Sequence, residues 1–278
     1  KKVITFGSRP FVNKDPNVTY VFCENETILL TSFLAHWRKN LPEVITGWNS
    51  QMYDIPYLAG RINRILGEKC MKDLSPWGLV SQGEVYISGR RNITYDIGGV
   101  TQLDYLDLYK RFTYTNQESY RLDYIANYEL GEKKLDHNEY DTFREFYTKD
   151  WDKFVRYNIK DVQLVDRLED KLKLIELAVT MAFDAKVNFI DIHYQVRMWD
   201  TIIYNYLKKQ DIVIPPKKRT SKSQKYAGAY VKEPKPGKYD WVVNFDLNSL
   251  YPHLIMQYNI SPETLKDERH PTATVERI

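Results

Sequence analysis

Through its first 66 residues the chain alternates short apolar runs with helices whose apolar side chains share one face, and this points to an α/β domain. Residues 3–6 and 20–23 read as strands, with a turn at 13–17 around Pro16. Residues 26–40 read as a helix because Ile28, Leu29, Phe33, Leu34 and Trp37 keep helical spacing. Residues 44–48 form another apolar run, and a helix comes next, from about residue 55 to 66. Its first turn holds Pro56, where a missing N–H costs little. Between residues 84 and 110 the period becomes two, predicting strands at 85–87, 92–97 and 100–106 with turns at 88–91 and 98–99. Helical spacing then predicts a short helix at 120–128, a polar loop at 130–141, one long helix at 148–181 and another at 191–209. The last helix carries Ile192, Val196, Trp199, Ile203 and Leu207 on one stripe. The final apolar run, 242–246, predicts a buried strand that ends at Asp246.

Three acids stand where carboxylates can do chemistry. Asp246, at the end of its apolar run, is either a cap for the next segment or a seat for Mg²⁺, which takes a few hard oxygen ligands and keeps several waters. Asp54 stands just before a helix and reads as an N-cap or as a second metal ligand. Asp161 falls in the row Phe154, Asp161, Leu168, Ile175, where an apolar residue belongs. A carboxylate on the packed side of a helix is costly unless it is paired or metal-bound. Tyr157 lies one turn earlier on the same side, so the two form either a structural pair or a metal ligand beside a hydroxyl that orients water.

Charge and composition narrow the partners. A net charge of +3 is too small for a global nucleic-acid footprint, so any such surface must be local. Residues 217–225 hold five cations in nine positions and read as a solvated linker or a phosphate contact. Two cysteines, Cys23 and Cys70, give no metal spacing and no disulfide framework, which makes a reducing cytoplasm the default. No run of 18 apolar residues exists, so no membrane partner is expected.

The stretch D-L-N-S-L-Y-P-H-L-I at 246–255, followed by N-I-S-P-E-T-L at 259–265, resembles motif A of the family B DNA polymerases, most nearly those of T-even-type phages. The resemblance implies that Asp246 holds catalytic metals, that Leu250 lies along the triphosphate path, and that Tyr251 packs under the incoming sugar and excludes ribonucleotides. T-G-W-N-S-Q-M-Y-D-I-P-Y-L at 46–58 resembles the family's Exo II motif, and Y-N-I-K-D at 157–161 its Exo III motif. Residues 226–229 resemble the Tyr-x-Gly-Ala-like element that partitions primer-template between the two sites, with Tyr226 and Gly228 as DNA contacts. These motifs stand in the family's order and span essentially the whole chain.

The resemblance implies a mixed α/β (α+β) protein. Residues 1–173 would be a ribonuclease H-like 3′→5′ exonuclease domain with its first strands missing, 174–217 a helical connecting segment, and 218–278 the start of the polymerase palm. Asp54 and Asp161 would be two of four acids holding two Mg²⁺ ions, with Mn²⁺ as a substitute, and Tyr157 would position the attacking water. Strands 85–106 would include the hairpin that helps separate primer from template. Its Arg90 and Arg91 are DNA contacts or a solvated turn. Expected partners are primer-template DNA and deoxynucleoside triphosphates, with a sliding clamp and other replisome proteins reached through other parts, in the host cytoplasm if phage-encoded.

The sequence also departs from the family. No Asp-x-Glu stands on a strand before Asp54, and neither the fingers helix nor the Asp-Thr-Asp motif comes after Asp246. The chain starts without Met, and both ends read as cut. An internal piece of a polymerase, inactive by itself in both reactions, is the expectation. The rivals are a free-standing exonuclease, which requires a complete acid set, and a non-catalytic nucleic-acid-binding or protein-priming module, which requires metal-independent single-strand binding.

Overall fold

The computed structural model describes residues 1–87, 89–214, 230–261 and 264. It divides into two units, Lys1–Pro216 and Lys217–Ile278. The mixed α/β class holds. Among the described residues no helix is long and apolar enough to cross a membrane.

In the first unit, β1 (Val3–Gly7) pairs in parallel with β2 (Val18–Phe22), with Val3 opposite Val18. The loop between them turns where Asp15 accepts the Asn17 N–H at 2.8 Å. Helix α1 (Glu26–Lys39) is capped by Asn25, whose side chain accepts the Ile28 N–H at 2.9 Å. β3 (Val44–Ile45) is shorter than predicted and pairs in parallel with β6 (Thr101–Gln102). Backbone bonds extend this contact past both strands, from Leu103 N–H to Ile45 O and from Tyr105 N–H to Gly47 O, each at 2.9 Å. Helices α2 (Asp54–Leu66) and α3 (Glu68–Lys72) lead to the antiparallel hairpin of β4 (Val80–Ile87) and β5 (Arg90–Ile97).

Two expectations fail in the second half of this unit. The strand predicted at 100–106 stops at Gln102, because Asp104 caps a helix instead, accepting the Leu106 N–H at 3.0 Å to open α4 (Tyr105–Phe112). After α5 (Leu122–Leu130), the helix predicted at 148–181 is three helices: α6 (Phe143–Lys149), α7 (Trp151–Leu172) and α8 (Leu174–Ala185). The second break is at Lys173, which adopts φ 55° in the left-handed region. Glu169 makes that break tolerable by accepting the Ile175 N–H at 3.0 Å, which satisfies an orphan donor of α8. A 3₁₀ turn (Phe189–His193) and α9 (Gln195–Lys208) come next. The stripe predicted for this helix divides: Ile192 is buried in the 3₁₀ turn, whereas Val196, Trp199 and Ile203 on α9 are 50 % or more exposed.

One core joins α4, α5, α7 and α8 through Leu108, Ile125, Leu164, Leu168 and Ala178. A second joins α1, α2 and β5 through Leu34, Ile62 and Ile97. The two cores flank the β3–β6 contact. That leaves the loop after β3 and the exposed edge of α7 open for a site.

In the second unit the described residues hold α10 (Leu250–Tyr258). The strand predicted at 242–246 is not found: these residues form no strand, and Val243 and Phe245 are 71 % and 91 % exposed. A strand needs a neighbour to complete its backbone hydrogen bonds, and no described residue pairs with this run. The cation run 217–225, Tyr226 and Gly228 lie outside the described residues.

Candidate active site

Helix α7 brings Tyr157 and Asp161 onto one face, a turn apart. Lys134, from the polar loop after α5, links them: its ammonium lies 2.6 Å from Asp161 Oδ2 and 3.3 Å from the Tyr157 hydroxyl. It also sits over the Tyr157 ring, 5.2 Å from the centroid. The Lys134 backbone is pinned in turn, its N–H donating to Asp123 Oδ1 at 2.7 Å. His137, Phe143 and Phe146 wall the Tyr157 ring at 5.3–6.2 Å. The phenol therefore has little freedom to turn.

Asp54 is the first residue of α2, so the N-cap reading does not hold. The cap position is Tyr53, and no side chain caps this helix. Asp54 is exposed as a residue, yet surrounding protein displaces enough water from its carboxyl to push its pKa up. The charge of Asp161 adds to that rise, and Lys134 opposes it. Burial likewise pushes Asp161 above the ordinary carboxylate range, and the Lys134 hydrogen bond and charge only partly offset this. Burial works against the Lys134 ammonium too, but Asp161 outweighs it and holds that pKa up. Asp54 and Asp161 thus sit close enough to feel each other's charge, and Lys134 is ion-paired with Asp161.

A groove of roughly 820 Å³ opens beside this cluster, lined by Trp48, Asn49, Asp123, Lys134, His137 and Tyr157 among others. Asp161 Oδ1 is buried and has no hydrogen-bond partner. A free, buried carboxylate oxygen next to a second carboxylate fits a hard divalent cation, which commonly takes one or two carboxylates and completes its shell with water and substrate phosphate. Among the described residues no group of three or more His, Cys, Asp or Glu side chains could hold an ion unaided.

Lys134, His137 and Asp123 were missed from sequence. Lys134 and His137 lie on a loop without periodicity, and Asp123 stands in the first turn of α5, so spacing could not tie them to Asp161. Removing Lys134 tests the pairing. Lys134→Met leaves a half-buried carboxylate without its partner and should cost about 1–2 kcal/mol at neutral pH in denaturant unfolding. Asp161 has a folded-state pKa above its ordinary value of 3.8, so its ionisation opposes folding. Its favourable contribution is present in acid and is lost as pH rises through the folded pKa. Without Lys134 that pKa climbs further. The gap between variant and parent should close in acid and open as pH rises above the carboxylate range.

Of the other predicted residues, Arg90 and Arg91 are exposed at the start of β5, and Arg91 is ion-paired with Glu84 across the hairpin. In the second unit Asp246 is exposed in an irregular segment, and Leu250 and Tyr251 open α10 at 40 % and 71 % exposure.

Known proteins share both parts of this sequence. Residues 4–125 match the family model of the DNA polymerase family B exonuclease domain, and residues 192–277 that of DNA polymerase family B. The DNA-directed DNA polymerase of Escherichia phage RB69 is 41 % identical over 251 residues, covering 89 % of this chain and 27 % of the relative. That of Enterobacteria phage T4 is 37 % identical over 252 residues, covering 90 % and 28 %. The DNA polymerase delta catalytic subunit of Candida albicans is 30 % identical over 252 residues, covering 84 % and 24 %. The chain spans about a quarter of the length of the curated relatives it matches. With exonuclease-domain and polymerase sequence of one family in the same chain, it belongs to the family B DNA polymerases.

Proposed function

We propose that the first unit carries part of a 3′→5′ proofreading nuclease site and that the second carries the opening of a polymerase site, in a replicative enzyme that acts on primer-template DNA. One observation carries the nuclease reading: Asp161 and Tyr157 meet on Lys134 beside an open groove, with a carboxylate oxygen of Asp161 left free, and Asp54 lies within range of their charges. The domain limits proposed are 1–173 for the ribonuclease H-like nuclease, 174–217 for the connecting segment and 218–278 for the palm.

In this reading Asp54 and Asp161 hold Mg²⁺, or Mn²⁺ in its place. Bound there, such an ion stabilises the attacking water and the leaving 3′ oxygen. Lys134 supplies positive charge where a phosphodiester enters. Because Lys134 donates to the Tyr157 oxygen, the phenolic proton of Tyr157 stays available to orient a water or a phosphate oxygen. The aromatic wall around Tyr157 keeps that hydroxyl aimed at the groove. In the second unit Asp246 is the metal ligand for nucleotide addition, Leu250 borders the triphosphate of the incoming nucleotide, and Tyr251 reads its sugar. Arg90 and Arg91, with Tyr226 and Gly228, are the DNA contacts. A sliding clamp and other replisome proteins would engage elsewhere, and the setting would be a host cytoplasm if the chain is phage-encoded like its RB69 and T4 relatives.

Digestion of a 3′-labelled single-stranded oligonucleotide by a full-length polymerase carrying this chain tests the nuclease reading, first with Mg²⁺ and then with Mn²⁺. Loss of the terminal nucleotide that depends on the ion and disappears in Asp54→Ala supports it. Digestion that survives Asp54→Ala, or that needs no divalent ion, contradicts it.

A further inference from the structure

Asp104 is 4 % exposed, and among the described residues no cation pairs with it. A buried carboxylate without a countercharge is costly unless its oxygens are hydrogen-bonded. Here three backbone N–H groups meet it. Leu106 donates to Oδ1 at 3.0 Å, which is an ordinary helix cap. The other two come from across the fold: Asn49 donates to Oδ1 at 2.9 Å and Gln51 to Oδ2 at 3.0 Å. A cap alone uses one oxygen and would be served by serine or threonine. Asp104 uses both, and the second binds only the distant loop.

That loop delivers Asp54. Asn49 sits at φ 62°, a conformation that L residues seldom adopt and that needs support from its surroundings. From there the Tyr53 N–H donates to Asn49 O at 3.1 Å and the Ile55 N–H to Ser50 O at 2.9 Å, and the chain enters α2 with Asp54 leading. The Trp48 indole, anchored on Tyr120 O at 3.0 Å, fixes the other end of the turn. Every step from the β3–β6 contact to Asp54 therefore passes through the segment that Asp104 clamps.

The geometry points to Asp104 as the positioning residue for Asp54: its carboxylate locks the turn at 49–53, so that the Asp54 carboxyl is presented beside Asp161. This inference rests on the reading of Asp54 and Asp161 as a metal-binding pair, but the clamp can be measured without it. Two variants separate clamp from cap. Asp104→Asn keeps one acceptor oxygen and sets an NH₂ group against an N–H. Asp104→Ser keeps the cap on Leu106 and loses both long-range bonds.

Amide hydrogen exchange and Mn²⁺ line broadening, both by NMR, read the result. In both variants exchange at Gln51, Tyr53 and Ile55 should rise roughly tenfold or more while the α7 amides of Leu164 and Leu168 keep their protection. Mn²⁺ should broaden the Asp54 and Asp161 regions together only at concentrations well above those that suffice in the parent, because the ion then lacks a correctly placed Asp54. Unchanged exchange at the turn, or an equal rise through α7, overturns the clamp. Faster exchange at the turn with Asp54 still broadened as in the parent overturns the positioning role. If Mn²⁺ broadens neither region in the parent chain, the metal-site reading fails, and with it the role of Asp104 toward Asp54, while the exchange data still decide the clamp.

Discussion

In a full-length polymerase carrying this chain, Asp161→Ala is expected to cut removal of 3′ nucleotides by about a thousandfold or more and to leave nucleotide addition intact. The reason lies in how Asp161 is held. It is fixed on a 22-residue helix whose neighbouring side chains Leu164 and Leu168 are fully buried, so its carboxylate cannot drift to another partner. One oxygen holds Lys134, and the other is buried and free. No other residue on that face of α7 offers an oxygen of equal charge, so alanine leaves the site short of a ligand that water cannot replace with the same strength. The fold should survive the change. Burial already disfavours the ionised form of Asp161, so removing it relieves one cost while stranding Lys134, which can extend toward the groove. The check is release of a 3′ label from single-stranded DNA alongside primer extension. Excision within tenfold of the parent would remove Asp161 from the site.

The second large effect is the mirror of the first. Asp246→Ala should abolish nucleotide addition, again by about three orders of magnitude, and spare excision. Asp246 lies in the stretch matched by the polymerase family model, shortly before helix α10, in a unit separate from Asp54 and Asp161. Its side chain is exposed, so its loss should move folding stability by no more than about 0.5 kcal/mol. A loss of synthesis could then not be blamed on unfolding. Primer extension measures it, and extension that persists without Asp246 would end its assignment as a metal ligand.

How much of this was legible in the sequence varied with the kind of signal. Helices α1 and α2 were readable because helical spacing and local breaks coincide: the observed Glu26–Lys39 and Asp54–Leu66 differ from expectation by a residue at an end. Asp161 was readable because it interrupts an apolar row. What spacing cannot express was missed. Lys134 reaches Asp161 from a loop 27 positions away, and Asp104 binds Asn49 and Gln51 across 55 and 53 positions. The break at Lys173 was hidden because the residues on both sides keep helical periodicity, and only the Glu169 cap reveals it. The stretch 100–106 had a warning in Asp104, a residue suited to open a helix. The run 242–246 shows the opposite limit. Its composition suits a strand, but a strand is completed by its neighbour, and that cannot be read from the run itself.

Asp54 and Asp161 are proposed to bind one divalent cation between them. Titrating Mn²⁺ into the isotopically labelled chain tests this most directly, because a paramagnetic ion broadens only nearby amide signals. Asp54, the Tyr157–Asp161 turn of α7 and the loop around Lys134 should broaden first and together, and Asp54→Ala or Asp161→Ala should abolish this. Broadening that begins elsewhere, or that persists with both carboxylates removed, would contradict it.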